Sequence, residues 1–415
     1  MRKLSFLLFL ALVLEFALSG CSINREITKR TFYNPENKRR KSTSHGGFKT
    51  TSHKITDSML KDMNFEDQIS TDRAVIKYQK GLSKQAESIH TELTQTITHV
   101  ENQTGLEIII KPKAHLIRVD QIPQSIEFTI TNEPNQFCFP MFVEARNEDY
   151  EDILTANPIY PFTVLHEITE MSLFVPWSPQ LVLGDLSFNW FIFEWHIKHK
   201  TRWFRDGFAN YTGLLACRTA KSKRPDLPPN YGQQHPFSAL SHLGGKLFTW
   251  AQSYDGKDTG DYYDAALGLF LVIEKRFGKE KIKEIIQSIK TLDFPDGRAL
   301  INLCNQKLQT DIEELAENFD FPDFGLKADE LTITHVLNEG LAVQTGLLVD
   351  HVEENSPAAV AGIKEGDVII EVNDQPVQKN LDLEMAFFDS LASTKIDITI
   401  FRKNEGHKKL NLQNR

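Results

Sequence analysis

Short apolar runs separated by turn residues, close to the C-terminus, constrain the fold of this 415-residue chain more than any other feature. In order they are 346–349 (GLLV), 356–359 (SPAA), 361–363 (AGI), 366–369 (GDVI), 372–377 (VNDQPV) and 396–401 (IDITIF). β-Branched residues flanked by Gly or Asn predict strands and turns, and Ser-Pro before alanines predicts a helix N-terminus. The order predicts a strand, a short helix, a turn at Gly366, a strand, a hairpin turn, a helix and a closing strand. Together these elements predict one small domain over residues 326–412.

This ordered set resembles a bacterial PDZ domain. PDZ domains bind an extended peptide by adding it as a strand between a sheet edge and a helix. The resemblance places the docking strand within residues 331–341, with Leu331, Ile333 and Val336 as peptide-binding residues and the helix at 381–391 as the other wall. The implied partners are peptide or protein chains, and a purely structural PDZ domain remains the alternative.

The N-terminus has the pattern of an export signal. Arg2 and Lys3 precede an apolar run over residues 4–14, and small residues lead to Cys21 in Leu-Ser-Gly-Cys. A charged start, an apolar stretch and a small-residue cleavage point are typical of a secretory signal. The four residues Leu-Ser-Gly-Cys, which end at Cys21, resemble the lipobox of bacterial lipoproteins. That resemblance implies a signal peptide over 1–20, acylation of Cys21 and attachment to a lipid bilayer of the cell envelope, at the outer membrane or a periplasm-facing membrane. An ordinary secretory signal is the alternative.

Charge is distributed unevenly behind this leader. Residues 22–54 hold nine Lys or Arg against Glu26 and Glu36, although the formal net charge of the whole chain is −9. The basic, polar composition over 21–65 is typical of a solvated tether. Its cations can also interact with anionic lipid headgroups. The body is therefore acidic, which argues against nucleic acid as a partner.

The intervening residues, 66–325, predict an α+β domain with a small sheet and a helical lobe. Apolar spacing predicts a helix over 86–100 that ends at Gly105, and strand-like stretches follow at 106–110, 116–119, 126–130 and 137–143. Beyond residue 159 most of the patterning is helical, with the clearest helices at 204–215 and 265–277.

Two segments of this domain carry a pattern suited to metal chemistry. Residues 164–173 read VLHEITEMSL, so a helix would place His166 and Glu170 on one face, one turn apart, with Glu167 beside them. Asp206 begins an Asp-Gly-Phe-Ala-Asn-Tyr segment on a second predicted helix. One histidine and two carboxylates can bind a divalent ion and leave a position open for water, with Glu167 as general base.

These segments resemble the gluzincin metallopeptidases, and the combination with a PDZ domain resembles the glycyl aminopeptidase family. The resemblance implies that His166, Glu170 and Asp206 are the ligands of a divalent metal such as zinc and that Glu167 is the catalytic base. It also implies that Tyr263 steadies the oxyanion, with Tyr254 and Tyr262 as alternatives. Glu170 stands where the family has a second histidine, and Asp206 is one methylene shorter than the usual glutamate.

Two functions follow from these features. One is a membrane-anchored metallopeptidase-like hydrolase whose PDZ domain binds extended substrate chains. The other is a catalytically inactive adaptor that keeps the peptidase scaffold and binds peptides or proteins through the PDZ domain. In the second case, His166 hydrogen-bonds Glu170 or Asp206 and the carboxylates are ordinary polar groups of the helix faces.

Overall fold

A computed structural model describes residues 53–54, 64–65, 67–118, 126–127, 131–133, 136–143, 162–174, 200–219, 235–250, 259–292, 295–331, 335–337 and 340–413. The signal peptide predicted over 1–20, Cys21 and most of the tether predicted over 21–65 lie outside these residues, as do Tyr254 and Ile333. No helix in the described part of the chain is both long enough and apolar enough to cross a bilayer.

The first sheet is mixed. Its strands, in spatial order, are β2 (Asp67–Ser70), β3 (Val75–Tyr78), β4 (Lys111–Arg118), β7 (Gln136–Val143) and β6 (Thr131–Glu133). β3, β4 and β7 run parallel, and the two outer strands pair antiparallel to them. A separate pair joins β1 (His53–Lys54) to β5 (Ile126–Glu127).

Helix α1 (Ser83–Thr104) connects β3 to β4. Its apolar stripe, which includes Ile89, Leu93 and Ile97, is buried, so the helix packs on the sheet through one face. Gly105 ends it with φ of 70°, the left-handed conformation that glycine adopts at helix C-termini. The strand predicted at 106–110 is wrong, because this stretch lies between α1 and β4 and pairing begins at Lys111.

The helical lobe follows the sheet. Its helices are α2 (Phe162–Phe174), α3 (Arg202–Thr219), α4 (Pro236–Leu243), α5 (Thr259–Phe277), α6 (Lys279–Ile289), α7 (Gly297–Leu308) and α8 (Ile312–Glu317), with a 3₁₀ helix over Gly244–Thr249. α3 packs between α2 and α5, and α5 also packs on α4. The sheet, α1 and this lobe share one apolar core.

The C-terminal unit has its own core. The strands β8 (Leu326–Glu330), β9 (Leu347–Val352), β10 (Val368–Val372), β12 (Lys395–Arg402) and β13 (Gly406–Gln413) form one sheet in the order β13-β12-β10-β9-β8, and the short β11 (Gln375–Pro376) pairs with β10. Helices α9 (Pro357–Ala361) and α10 (Asn380–Asp389) complete it. Its buried apolar residues run from Phe324 to Leu412, so the predicted α+β class is confirmed for both units.

Helix α10 belongs to both cores. Leu383 and Phe387 face the C-terminal core, whereas Leu381 and Phe388 pack against the helical lobe. The ring of Phe388 stacks on Phe237 of α4, with 4.0 Å between ring centroids. In the described residues the C-terminal unit is therefore attached to the helical lobe through α10, and Phe321 also packs against both cores.

Candidate functional site

The described structure brings His166, Glu170 and Asp206 together. His166 and Glu170 lie one turn apart on α2, and the Nε2 atom of His166 is 3.4 Å from a carboxylate oxygen of Glu170. Asp206 lies in the first turns of α3, and the three potential ligand atoms are all within 4.8 Å of one another. This is the only such group of three His, Cys, Asp or Glu side chains found among the described residues.

Two glycines of α3 allow the close helix packing that positions these side chains. A Cβ at Gly213 would lie 2.7 Å from the ring of Phe162 on α2, and one at Gly207 would lie 2.8 Å from the carbonyl oxygen of Ala266 on α5. Neither separation is tolerated between real atoms, so glycine is required at both crossings. The glycines at 207 and 213 therefore allow α3 to approach α5 and α2 closely.

Two buried arginines, which the sequence analysis missed, pair with the two carboxylates. Arg205 donates from Nη2 to Glu170 at 2.6 Å. Arg202 donates from Nε and Nη2 to the two oxygens of Asp206 at 3.3 and 3.4 Å. Arg202 and Asp206 are four residues apart on one helix, a spacing that could have revealed their pairing in the sequence.

Arg202 is held by aromatic residues as well. Its guanidinium carbon lies 4.1 Å from the centre of the Trp250 ring, and its Nη2 donates to the hydroxyl of Tyr263 at 2.7 Å. Tyr263 itself lies near the site, with its ring centre 6.5 Å from that of His166. Tyr262 instead stacks on Trp250, with 5.5 Å between ring centroids. Of the two tyrosines considered for the oxyanion role that the structure describes, Tyr263 contacts the charged cluster and Tyr262 packs on Trp250.

The cluster is almost completely excluded from solvent. His166 is 0% exposed, Asp206 1%, Arg202 2%, Glu170 4% and Arg205 8%. Burial raises the pKa of Asp206; Arg202 opposes this effect, and the neighbouring Glu170 carboxylate adds to it. Both carboxylates therefore depend on the two guanidiniums for compensation of their charge.

The donor set fits a divalent ion by spacing and does not fit it by charge. Among the described side chains, two guanidiniums match the charge of the two carboxylates in their ionised form, and each carboxylate already accepts hydrogen bonds from a cation. A resident ion would add two positive charges beside Arg202 and Arg205 in a buried site. Glu167 lies on α2 between His166 and Glu170, and its side chain is outside the described part of the structure.

The second candidate site is the edge of the C-terminal sheet. β8 pairs with β9 on one side, and within the described residues no strand pairs with its other side. Leu331 follows this strand and its N–H donates to the carbonyl of Gly346 at 3.0 Å. Residues 335–337, including Val336, are helical. The edge strand of the described sheet is thus Leu326–Glu330, which ends just before the segment 331–341 in which the docking strand was predicted; peptide docking there stays a prediction.

Residues 322–413 match the family model described as PDZ domain. They form a PDZ domain. Among curated proteins, a probable periplasmic serine endoprotease DegP-like of Brucella suis is 36% identical over 81 residues, which are 20% of this chain and 16% of that protein. A protein of the same description from Rickettsia conorii is 27% identical over 204 residues, 47% of this chain. The chain covers only 35% of the length of the Rickettsia protein.

Solved structures similar to the chain include metallopeptidases. An aminopeptidase N family protein from Idiomarina loihiensis aligns over 84% of this chain and 66% of its own, with 14% identity and a TM-score of 0.39. An M1 zinc metallopeptidase from Deinococcus radiodurans, solved as a point mutant, aligns over 62% of this chain and 52% of its own, with 17% identity and a TM-score of 0.36.

Proposed function

We propose that this chain is a peptide-binding protein of the bacterial cell envelope, in which a PDZ domain is mounted on a peptidase-like scaffold. The observation that carries the proposal is the edge of β8, which no described strand covers. An extended chain can add to such an edge through main-chain hydrogen bonds. Peptide binding would thus use the sheet edge as its main contact.

The register of β8 identifies the groups that would make these hydrogen bonds. Leu331 hydrogen-bonds to Gly346 and Glu330 lies opposite Leu347, so pairing alternates along the strand. By this alternation the N–H and C=O groups of Ala328, which lies opposite Val349, are directed away from β9. Ala328 is accordingly the central residue of the open edge.

Side chains around β8 are suited to selective binding at this edge. Lys327 and Asp329 are exposed on the strand, and charged residues on an edge oppose indiscriminate sheet pairing. Helix α10 lies beside the strand, with Lys379 at its start 3.7 Å from Glu330. A bound chain would therefore lie along β8 within reach of α10, as in the PDZ mode of recognition.

The test is to replace Ala328 by Pro, which removes one outward-directed N–H from the edge strand. Proline is tolerated on edge strands, so the domain should fold. We expect about tenfold weaker binding of carboxymethylated, permanently unfolded lactalbumin, measured by fluorescence anisotropy. Ala328→Ser keeps the N–H and should bind as the unaltered protein does. Equal binding by a folded Ala328→Pro variant would exclude strand addition at β8.

We also propose that Cys21 carries the lipid that attaches the protein to the envelope membrane. Support comes from the Leu-Ser-Gly-Cys sequence after an apolar run, and from relatives described as periplasmic. In a bacterial host, Cys21→Ser should move the protein from the membrane fraction to the soluble fraction. Washing the membranes of the unaltered protein with about 1 M salt should release none of it, since salt screens the basic tether and leaves acyl chains inserted. Release by salt alone would contradict lipidation.

The second candidate function is metal-dependent peptide hydrolysis. The observation in its favour is the convergence of His166, Glu170 and Asp206 within 4.8 Å. It requires the carboxylates to exchange their arginine partners for an ion. Metal content of the purified protein, together with hydrolysis of unfolded lactalbumin, distinguishes this function from peptide binding alone.

A further inference from the structure

The charges in the cluster around His166 balance without a metal ion. When both carboxylates are ionised, the two negative charges of Glu170 and Asp206 are matched by the two positive charges of Arg202 and Arg205. An arginine guanidinium stays protonated in proteins, so this positive charge is permanent. Among the described side chains, the cluster therefore forms a charge-balanced ion-pair network.

Arg202 cannot easily leave Asp206. Its guanidinium is stacked on Trp250, also lies 5.4 Å from the centre of the Tyr263 ring and donates to the Tyr263 hydroxyl. Trp250 and Tyr263 are both buried, so movement of Arg202 would disturb the packing around them. One of the two positive charges is thus fixed within the cluster.

Arg205 approaches the other carboxylate, and its hydrogen bond with Glu170 joins α3 to α2. Arg202 joins α3 to α5 through Tyr263. Arg205 consequently connects the same two helices, α2 and α3, that a metal ion bound by His166, Glu170 and Asp206 would hold together. The two arginines also repel any further cation from this buried site.

We infer that Arg205 takes the place of a metal ion in joining α2 to α3, and that the charge of Arg202 and Arg205 excludes divalent cations from the His166, Glu170 and Asp206 cluster. The donors remain spaced for a metal. Removing one guanidinium should accordingly turn the cluster into a metal site. This inference does not depend on peptide binding by the PDZ domain.

The experiment measures zinc binding by the unaltered protein and by Arg205→Gln. After dialysis with excess zinc chloride and then against metal-free buffer, the unaltered protein should retain less than about a tenth of an equivalent by mass spectrometry. Arg205→Gln should bind one zinc ion about a hundredfold more tightly than the unaltered protein in a chelator competition. Adding His166→Ala to that variant should abolish the gain, which locates the ion in the cluster.

Arg298→Gln is the matched control, because Arg298 pairs with Glu313 in an exposed ion pair. It should leave zinc binding unchanged. A folded Arg205→Gln variant that binds zinc no better than the unaltered protein would overturn the role of charge. The inference would also be overturned if the unaltered protein held one equivalent of zinc tightly and His166→Ala removed it. That result does not depend on whether an arginine variant folds. Both outcomes are independent of the Ala328→Pro result.

Discussion

Replacing Gly268 with alanine is expected to destabilise the helical lobe by about 3 kcal/mol. A Cβ at this position of α5 would lie 2.2 Å from the carbonyl oxygen of Pro236 and 2.8 Å from its carbonyl carbon. These are backbone atoms at the start of α4, so no side-chain rotation relieves the overlap and the two helices must separate. Urea unfolding followed by circular dichroism measures the loss.

Arg276→Ala is the control for this substitution. Arg276 is exposed near the end of the same helix, so its replacement should change the free energy of unfolding by less than about 0.5 kcal/mol. Equal stability of Gly268→Ala and the unaltered protein would show that α4 and α5 do not cross as closely as the structure has them.

Sequence patterns predicted where the helices of this lobe lie in the chain, but they did not predict how these helices pack against one another. The segments 204–215 and 265–277 lie within α3 and α5, because apolar spacing within one helix is a local property. Gly207 is required by its contact with Ala266, and Gly268 by its contact with Pro236. Each contact joins residues that are distant in sequence. Such requirements become visible only when the helices are packed.

The same distinction applies to the charged cluster. His166 and Glu170 could be placed on one face because they are four residues apart on one helix. Asp206 was added as a carboxylate on a second predicted helix, and the resemblance then assigned it as the third ligand. Arg205 and Glu170 are 35 residues apart and meet only through the crossing of α2 and α3, so their ion pair has no local signature. The sequence thus predicted the donors and missed the cations that neutralise them.

The docking strand was placed within residues 331–341 by the resemblance to PDZ domains, which located it only as preceding Gly346. β8 instead reads LKADE and carries exposed charges, which strands at a sheet edge tolerate because one side is solvated. The local pattern therefore does not indicate this edge strand, whereas the inner strands of the PDZ domain, with a neighbour on both sides, followed their patterns.

Glu384→Ala should weaken the junction between the PDZ domain and the helical lobe by about 3 kcal/mol. The buried Glu384 carboxylate accepts from the N–H of Phe237 at 2.8 Å and from the hydroxyl of Ser238 at 2.5 Å. These groups lie in the first turn of α4, where N–H groups have no partner within the helix. Alanine would leave the buried N–H of Phe237 without an acceptor, and differential scanning calorimetry should show the PDZ domain unfolding at a lower temperature.

A second variant at the same junction identifies the cause of that loss. Asp389→Ala removes an exposed ion pair with Lys275 and should cost less than about 1 kcal/mol. A similar loss in both variants would contradict a specific role for Glu384.

The junction should also respond to pH through His235, which faces Glu384, Asp264 and Asp329. Burial lowers the pKa of His235, but its hydrogen bond with Glu384 and the other carboxylates outweigh this and raise it above its ordinary value. Protonated His235 therefore stabilises the folded junction at low pH, and this contribution disappears as pH rises through the raised pKa. Glu384→Ala should accordingly cost more at pH values below the ordinary pKa of histidine than in mildly alkaline buffer. An equal cost at both pH values would mean that the hydrogen bonds from the uncharged donors of α4 account for the whole contribution of Glu384.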